Sequence, residues 1–177
     1  SGAAYLAGGT SNNHFPVKNA FQPEYGGGWI DGFFLKLAPD GKSLVFSSYY
    51  GGSFEDYLTA LAVDAEGALY LAGGRSRFFI RIIPNNPSVE GDGENPWHGV
   101  YVVKMTADGQ TLVYDKMIEM SGYLNSISDI AVDAAGAVYG TGVTSSLDLP
   151  VKNAFQRKLA GWLDSFVFKL DPAGGDL

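Results

Sequence analysis

Apolar residues in this chain come in short runs that carry apolar or small side chains on both faces. In Leu58–Val63 both alternating sets of positions are apolar or small, and Phe33–Leu37 has only Lys36 as a polar residue. A sheet with one face in water would alternate polar and apolar side chains more cleanly. No helical period is present to indicate an α/β unit. The pattern predicts small sheets that stack face to face and bury both surfaces.

The chain also repeats itself. A glycine-bounded segment with a central tyrosine occurs three times, at spacings of 65 and 69 residues: Gly2-Ala-Ala-Tyr-Leu-Ala-Gly8, Gly67-Ala-Leu-Tyr-Leu-Ala-Gly73 and Gly136-Ala-Val-Tyr-Gly-Thr-Gly142. A second series, in which Trp, Lys and Gly follow in order, begins at Trp29, Trp97 and Trp162. The segment Pro16-Val-Lys-Asn-Ala-Phe-Gln22 recurs unchanged as residues 150–156, at an offset of 134. Three independent markers therefore indicate one repeating unit.

Each full unit is predicted to contain four strands, which gives ten strands in the chain. In the middle unit the predicted strands are Leu58–Asp64, Ala68–Gly73, Val100–Thr106 and Thr111–Lys116. Tight turns join them at 64–67 and 107–109, and equivalent turns lie at 133–136 and 39–41. Each turn has Asp shortly before Gly, which is typical of a hairpin whose last turn residue needs positive φ.

Composition supports the all-β prediction and narrows the partners. Glycine is abundant, at 24 residues, and aromatic residues make up 14% of the chain, as expected for strands and tight turns. The net charge of −7 disfavours nucleic acid and anionic membrane surfaces as partners. No cysteine is present, so thiolate metal sites are excluded. No apolar run approaches the roughly 18 residues that span a bilayer.

The residues resemble the bacterial SBBP family of β-propeller repeats. The resemblance rests on Asp31–Gly41, on Leu44–Ser53 with Asp56, and on the Phe15–Gln22 segment, together with Ala62-Val-Asp64, Gly67, Tyr70 and Gly73. It implies a propeller of several blades in a secreted or cell-surface protein, with no agreed catalytic residues. The middle unit departs from the pattern at Arg77–Pro87, with the acidic loop after it, and at Asp115–Ser121.

The expected fold is therefore an all-β propeller segment of four-stranded antiparallel blades that form an incomplete ring. We expect one partial propeller over residues 1–177, with repeat units at approximately 1–57, 58–126 and 127–177. The first unit lacks its first strand and the last lacks its fourth, so the chain supplies about 2.5 of the four to eight blades of a propeller. Further blades are expected from the same parent chain or from other subunits.

Few residues suggest chemistry. Glu90, Asp92 and Glu94 offer oxygen ligands on a flexible loop and are the candidate calcium site, against the alternative of a solvated acidic loop. Asp64 and Asp133 are expected to cap turns rather than to bind calcium. His14 and His98 occupy non-equivalent repeat positions and are expected to be surface residues. No catalytic constellation is apparent, so we predict that the chain is not an enzyme and needs no other cofactor.

Tryptophan and phenylalanine residues give the remaining candidates. Trp29, Trp97 and Trp162 precede the third strand of each unit; packing between blades is the favoured interpretation, and a row of ligand-binding aromatics that includes Tyr25 is the alternative. Phe21 and Phe155 are expected to tuck into the blade beneath a turn-like lid.

The sequence thus favours a non-catalytic scaffold or interaction module of an exported protein. The alternatives are a carbohydrate- or protein-binding adhesive module that uses the tryptophan loops, and an enzyme whose site other blades complete.

Overall fold

The computed structural model describes residues 2–76, 99–122 and 124–175, and their regular structure is β-strand. The ten strands are β1 (Ala4–Thr10), β2 (Asp31–Leu37), β3 (Leu44–Tyr50), β4 (Glu55–Val63), β5 (Leu69–Ser76), β6 (Gly99–Met105), β7 (Leu112–Glu119), β8 (Asn125–Val132), β9 (Val138–Thr144) and β10 (Asp164–Leu170). The predicted number of strands is confirmed for these residues. In the same residues no helix is long and apolar enough to cross a membrane.

The strands form three antiparallel sheets in chain order. Sheet 1 has the order β1-β2-β3, sheet 2 has β4-β5-β6-β7, and sheet 3 has β8-β9-β10. The repeat equates β1, β5 and β9, and it likewise equates β2, β6 and β10. Sheet 1 therefore has counterparts of the last three strands of sheet 2, and sheet 3 has counterparts of the first three.

The predicted hairpin turns are confirmed in their geometry. Gly67 and Gly136 have φ values of 89° and 85°, and their amides donate to the carbonyls of Asp64 and Asp133. The carboxylate of Asp64 also accepts the Ala68 amide at 2.8 Å, so it caps the turn. Asp133 accepts two turn amides in the same way. Glycine is required here because a side chain disfavours positive φ.

A tyrosine and a lysine face each other across the same strand pair in all three sheets. Each lysine Nζ lies over the ring of its tyrosine partner: 4.9 Å from the centroid for Tyr5–Lys36, 4.8 Å for Tyr70–Lys104 and 4.7 Å for Tyr139–Lys169. The lysine that recurs in mid-strand is thus a packing partner of the repeated tyrosine.

Sheet 2 lies between the other two sheets, and its inner strands β5 and β6 are buried on both faces. Leu71 and Val103 pack with Phe34 and Phe46 of sheet 1. The alternate positions, such as Val102, pack with residues of sheet 3 in a second cluster. The two-sided burial that the sequence predicts is therefore confirmed for β5 and β6 but not for β7, whose side chains are mostly exposed or half-buried.

One repeated glycine accommodates a bulge in the neighbouring strand. The pairing of β4 with β5 shifts register between Leu58 and Ala60, and Gly73 lies opposite this irregularity. A Cβ atom on Gly73 would lie 1.8 Å from the carbonyl oxygen of Tyr57. Gly142 occupies the same position in sheet 3, where a Cβ would lie 2.1 Å from the oxygen of Ser126. These glycines are fixed by the close approach of a backbone.

A segment outside the regular strands binds the outer edge of sheet 1. We call residues 16–22 the first hook. Lys18 and Gln22 form isolated antiparallel bridges to Ser47 and Tyr49 of β3. The identical residues 150–156, the second hook, lie beside β10 in sheet 3, where the described residues provide no fourth strand.

Candidate functional site

The outer face of sheet 3 is exposed, whereas the repeat-equivalent face of sheet 2 is buried. Tyr70 and Val102 of sheet 2 are fully buried in the cluster that joins sheets 2 and 3. Their repeat equivalents in sheet 3, Tyr139 and Val167, are 42% and 83% exposed. Burial alternates along β9 and β10, so only the face that points away from sheet 2 is open. Sheet 3 thus presents to solvent a face whose equivalent in sheet 2 is buried against sheet 3.

The loops that follow β9 extend this apolar surface. Leu147, Phe155 and Trp162 are almost completely exposed, and Leu163 is partly so. A cavity of about 950 Å³ is lined by the second hook and by all three strands of sheet 3, together with Ile118 of β7. Leu147 and Phe155 line this cavity together with Tyr139 and Val167, and exposed apolar groups that lie together mark interaction surfaces in soluble proteins. The surface and cavity together form the candidate site.

Trp29 and Trp162, the two singled-out tryptophans that the structure describes, are not packed between sheets. Trp29 is 66% exposed and Trp162 is 94% exposed, so the favoured packing interpretation is wrong for both. Tyr25 lies edge-on to Tyr49, with ring centroids 5.7 Å apart, and therefore leans on sheet 1. Trp29 and Trp162 precede strands of sheets 1 and 3, which sheet 2 separates. Carbohydrate or protein contact through these residues stays a prediction.

The two hook phenylalanines, which the sequence predicts to be buried, differ in their exposure. Phe21 is partly exposed and stacks on Tyr50 of β3, with ring centroids 6.5 Å apart. Phe155 is fully exposed, so the prediction that it tucks into the sheet is wrong. The reason is physical: the counterpart of Tyr50 on which Phe155 would lie is not among the described strands of sheet 3.

The candidate calcium ligands Glu90, Asp92 and Glu94 lie outside the described residues, as do Trp97 and His98. Among the residues that the structure places, no group of three or more His, Cys, Asp or Glu side chains is suited to hold a metal ion. His14 is exposed, and its amide donates to the side chain of Asn12.

A buried ion pair, which sequence reasoning missed, lies at the end of sheet 2. Asp56 is completely buried, and its Oδ1 accepts from Nε of Arg75 at 2.6 Å. Its Oδ2 accepts from the amide of Gly52 at 2.8 Å. The Arg75 guanidinium also lies over the Tyr101 ring, 5.7 Å from its centroid. Burial lowers the pKa of Arg75, but the charge and hydrogen bond of Asp56, together with Asp115 and Tyr50, outweigh this effect, so the pKa is raised.

Two tyrosines surround this ion pair and remain protonated. The Tyr50 hydroxyl donates to Asp115 Oδ2 at 2.7 Å, and the Tyr101 hydroxyl donates to the Tyr57 carbonyl at 3.0 Å. Burial, followed by nearby carboxylates, raises the pKa of both tyrosines above the ordinary value. The two hydroxyls therefore act as hydrogen-bond donors, and the cluster joins sheet 1 to sheet 2.

A second buried carboxylate lies beside the ion pair. Asp31 is fully buried; its Oδ2 accepts from the Gly26 amide, and its Oδ1 has no hydrogen-bond partner. Burial raises the pKa of Asp31, the Gly26 amide opposes this shift, and the charge of Asp56 adds to it. Burying Asp31 therefore costs free energy at neutral pH instead of stabilising the fold.

Asp31 and Asp56 both belong to the segments on which the resemblance to the SBBP repeat rests, and this was the only sequence signal for these groups. It did not pair Asp56 with Arg75, because their contact depends on the register of β4 and β5. No family model matches the chain, and no curated protein is similar to it.

Proposed function

We propose that this chain is part of a β-propeller of the SBBP type and serves as a non-catalytic interaction scaffold in an exported or cell-surface protein. Its three sheets act as successive blades, and further blades come from the parent polypeptide or from other subunits. The observation that carries the proposal is the contrast between buried Tyr70 and Val102 and exposed Tyr139 and Val167 at equivalent positions.

The contrast has a simple physical interpretation. A side chain such as Val loses about 1.5–3 kcal/mol of favourable burial when it is left in water. Sheet 3 carries the same Tyr–Lys pair as sheet 2. Along β10, side chains that point toward sheet 2 are buried or partly buried and those that point away from it are exposed. A further sheet packed on the open face would bury Val167 as sheet 3 buries Val102. The scaffold therefore grows by adding sheets to this face.

Self-association of the chain tests this proposal, because another copy presents sheets of the same type. Size-exclusion chromatography with light scattering across a dilution series is expected to show concentration-dependent association. Val167→Lys places a charge on the open face and is expected to abolish it. Val113→Lys is the matched control, since Val113 is 53% exposed on β7 of sheet 2, and should associate like the parent chain.

Circular dichroism establishes that both variants keep their strands. A folded parent chain that stays monomeric at every concentration would count against the proposal. Equal effects of the two substitutions would show that association does not use the open face of sheet 3.

A further inference from the structure

The first hook is a device that binds the backbone of a β-strand. Lys18 exchanges backbone hydrogen bonds with Ser47 at 3.0 and 2.8 Å, and the Tyr49 amide donates to the Gln22 carbonyl at 3.1 Å. The Lys18 ammonium donates to the carbonyl of Leu44 at 2.6 Å. These contacts secure β3 along the edge that faces away from β2.

Side-chain amides of the first hook extend the grip on β3. Asn19 Nδ2 donates to the Val45 carbonyl at 3.0 Å, and the Gly51 amide donates to Gln22 Oε1 at 3.0 Å. The Ser48 hydroxyl bonds both backbone groups of Gln22. Apart from Ser48, every polar group held in this way belongs to the strand backbone, so the hook recognises extended chain more than side-chain identity.

The second hook has the same sequence and the same shape. Asn19 and Asn153 have φ values of 44° and 51°, which are the only positive values among the described non-glycine residues. Gln22 Nε2 donates to the carbonyl two residues further on at 2.9 Å, and Gln156 Nε2 does so at 2.9 Å. A residue with a side chain seldom adopts positive φ. The similar positive φ values of Asn19 and Asn153 therefore indicate that the shared sequence fixes one conformation in both hooks.

The second hook is also tied to sheet 3. Asp164, the first residue of β10, accepts from the Ala160 amide and from Gln156 Nε2, both at 2.7 Å. This hook and β10 both line the cavity of about 950 Å³, which also extends over residues of β8 and β9. The chain leaves β10 through a turn at 171–174 in which Gly174 has a φ of 72°, like Gly41 after β2. Every element that surrounds β3 in sheet 1, except β3, therefore has its counterpart here.

We infer that the edge of β10 and the second hook form a strand-accepting slot. Its occupant is an extended polypeptide segment with the residue pattern of β3, Val-Phe-Ser-Ser-Tyr-Tyr-Gly, bound antiparallel to β10. The strand inserts between β10 and the hook: its backbone pairs with Lys152 and Gln156, its second serine lies at Gln156, and its second tyrosine stacks on Phe155. The pattern is fixed by the contacts that β3 makes with the first hook.

A peptide of residues 42–53 of this chain is the probe, added to the whole chain. Fluorescence anisotropy of the labelled peptide is expected to show saturable one-to-one binding with a Kd below about 1 mM. A scrambled peptide of the same composition controls for adhesion to apolar surface. A peptide with Ser47→Pro lacks one N–H that pairs with the hook, and its affinity should fall at least ~5-fold, as for one lost hydrogen bond in a strand pair.

Variants of the chain locate the bound peptide. Gln156→Ala removes groups that hold the slot and is expected to weaken binding at least ~5-fold. Val113→Lys, a substitution on the surface of β7, is the control and should leave the affinity unchanged. Hydrogen exchange should show new protection in β10 and residues 150–157 when the peptide is present.

Three results would overturn the inference: no saturable binding, equal binding of the scrambled peptide, or equal affinities of the parent chain and Gln156→Ala. A dimer that Gln156→Ala dissociates would instead assign the slot to a second copy. The slot uses the second hook and the backbone edge of β10, whereas the proposed scaffold uses the open face of sheet 3, although Val167 also lines the cavity. Peptide binding to the parent chain can fail while Val167→Lys still abolishes association, and association can fail while Gln156→Ala still weakens peptide binding.

Discussion

Removal of the Arg75 guanidinium tests the buried ion pair most severely. In Arg75→Leu the apolar contact with Tyr101 is partly kept, whereas the completely buried Asp56 carboxylate loses its only ion-pair partner among the described residues. A buried charge without a partner costs about 3–5 kcal/mol. This is a large part of the roughly 5–15 kcal/mol that stabilises a typical domain.

Urea unfolding followed by circular dichroism measures the loss. With a slope near ~2 kcal/mol per M, the midpoint should fall by roughly 1.5–2.5 M. Asp56→Asn should cost less, because Arg75 is 28% exposed and its guanidinium can reach water. The double substitution should then be less destabilised than the sum of the two single effects.

The cost of Arg75→Leu should also depend on pH. A buried carboxylate without a partner is less costly in its neutral form, and acid favours that form. The destabilisation should therefore be largest at neutral pH and decrease toward pH 4. A loss below about 1 kcal/mol, as for a surface pair, or a loss that is the same at both pH values, would refute the reasoning.

Two further predictions concern the backbone and the second buried carboxylate. Gly73→Ala places a Cβ 1.8 Å from the Tyr57 oxygen and should lower the free energy of unfolding by at least ~3 kcal/mol, whereas Gly52→Ala, with nothing within 4 Å, should change it by less than ~0.5 kcal/mol; equal denaturation midpoints would contradict this. Because the pKa of folded Asp31 is raised, the parent chain loses stability as pH rises through that pKa. Asp31→Asn should therefore be the more stable protein at neutral pH and lose its advantage below about pH 4, and stability curves that run parallel across this range would exclude it.

Sequence alone predicted the parts of this fold that depend on local chemistry. The Asp64–Gly67 turn was predictable because its glycine needs positive φ and its aspartate caps nearby amides. Burial of β5 and β6 on both faces followed from apolar side chains at successive positions along the strands. Both properties depend on residues that are close together in the sequence.

The parts that depend on neighbouring sheets were not predictable in the same way. Trp162 and Phe155 are large aromatic residues of the kind that usually form a core, yet nothing among the described residues covers them. The contact of Asp56 with Arg75 depends on the register across β4 and β5, which a period does not specify. Identical hook sequences likewise gave no sign that one holds a strand and the other borders a cavity.

Thiol accessibility at one pair of repeat-equivalent positions tests the central claim most directly. The chain has no cysteine, so Val102→Cys and Val167→Cys each introduce a single thiol, and cysteine is tolerated as a small apolar residue in cores. With a thiol reagent under native conditions, the Val167→Cys protein should react at the rate of an exposed thiol, whereas the Val102→Cys protein should react only as it unfolds. Equal rates for the two folded proteins would contradict the stacked arrangement with one open face.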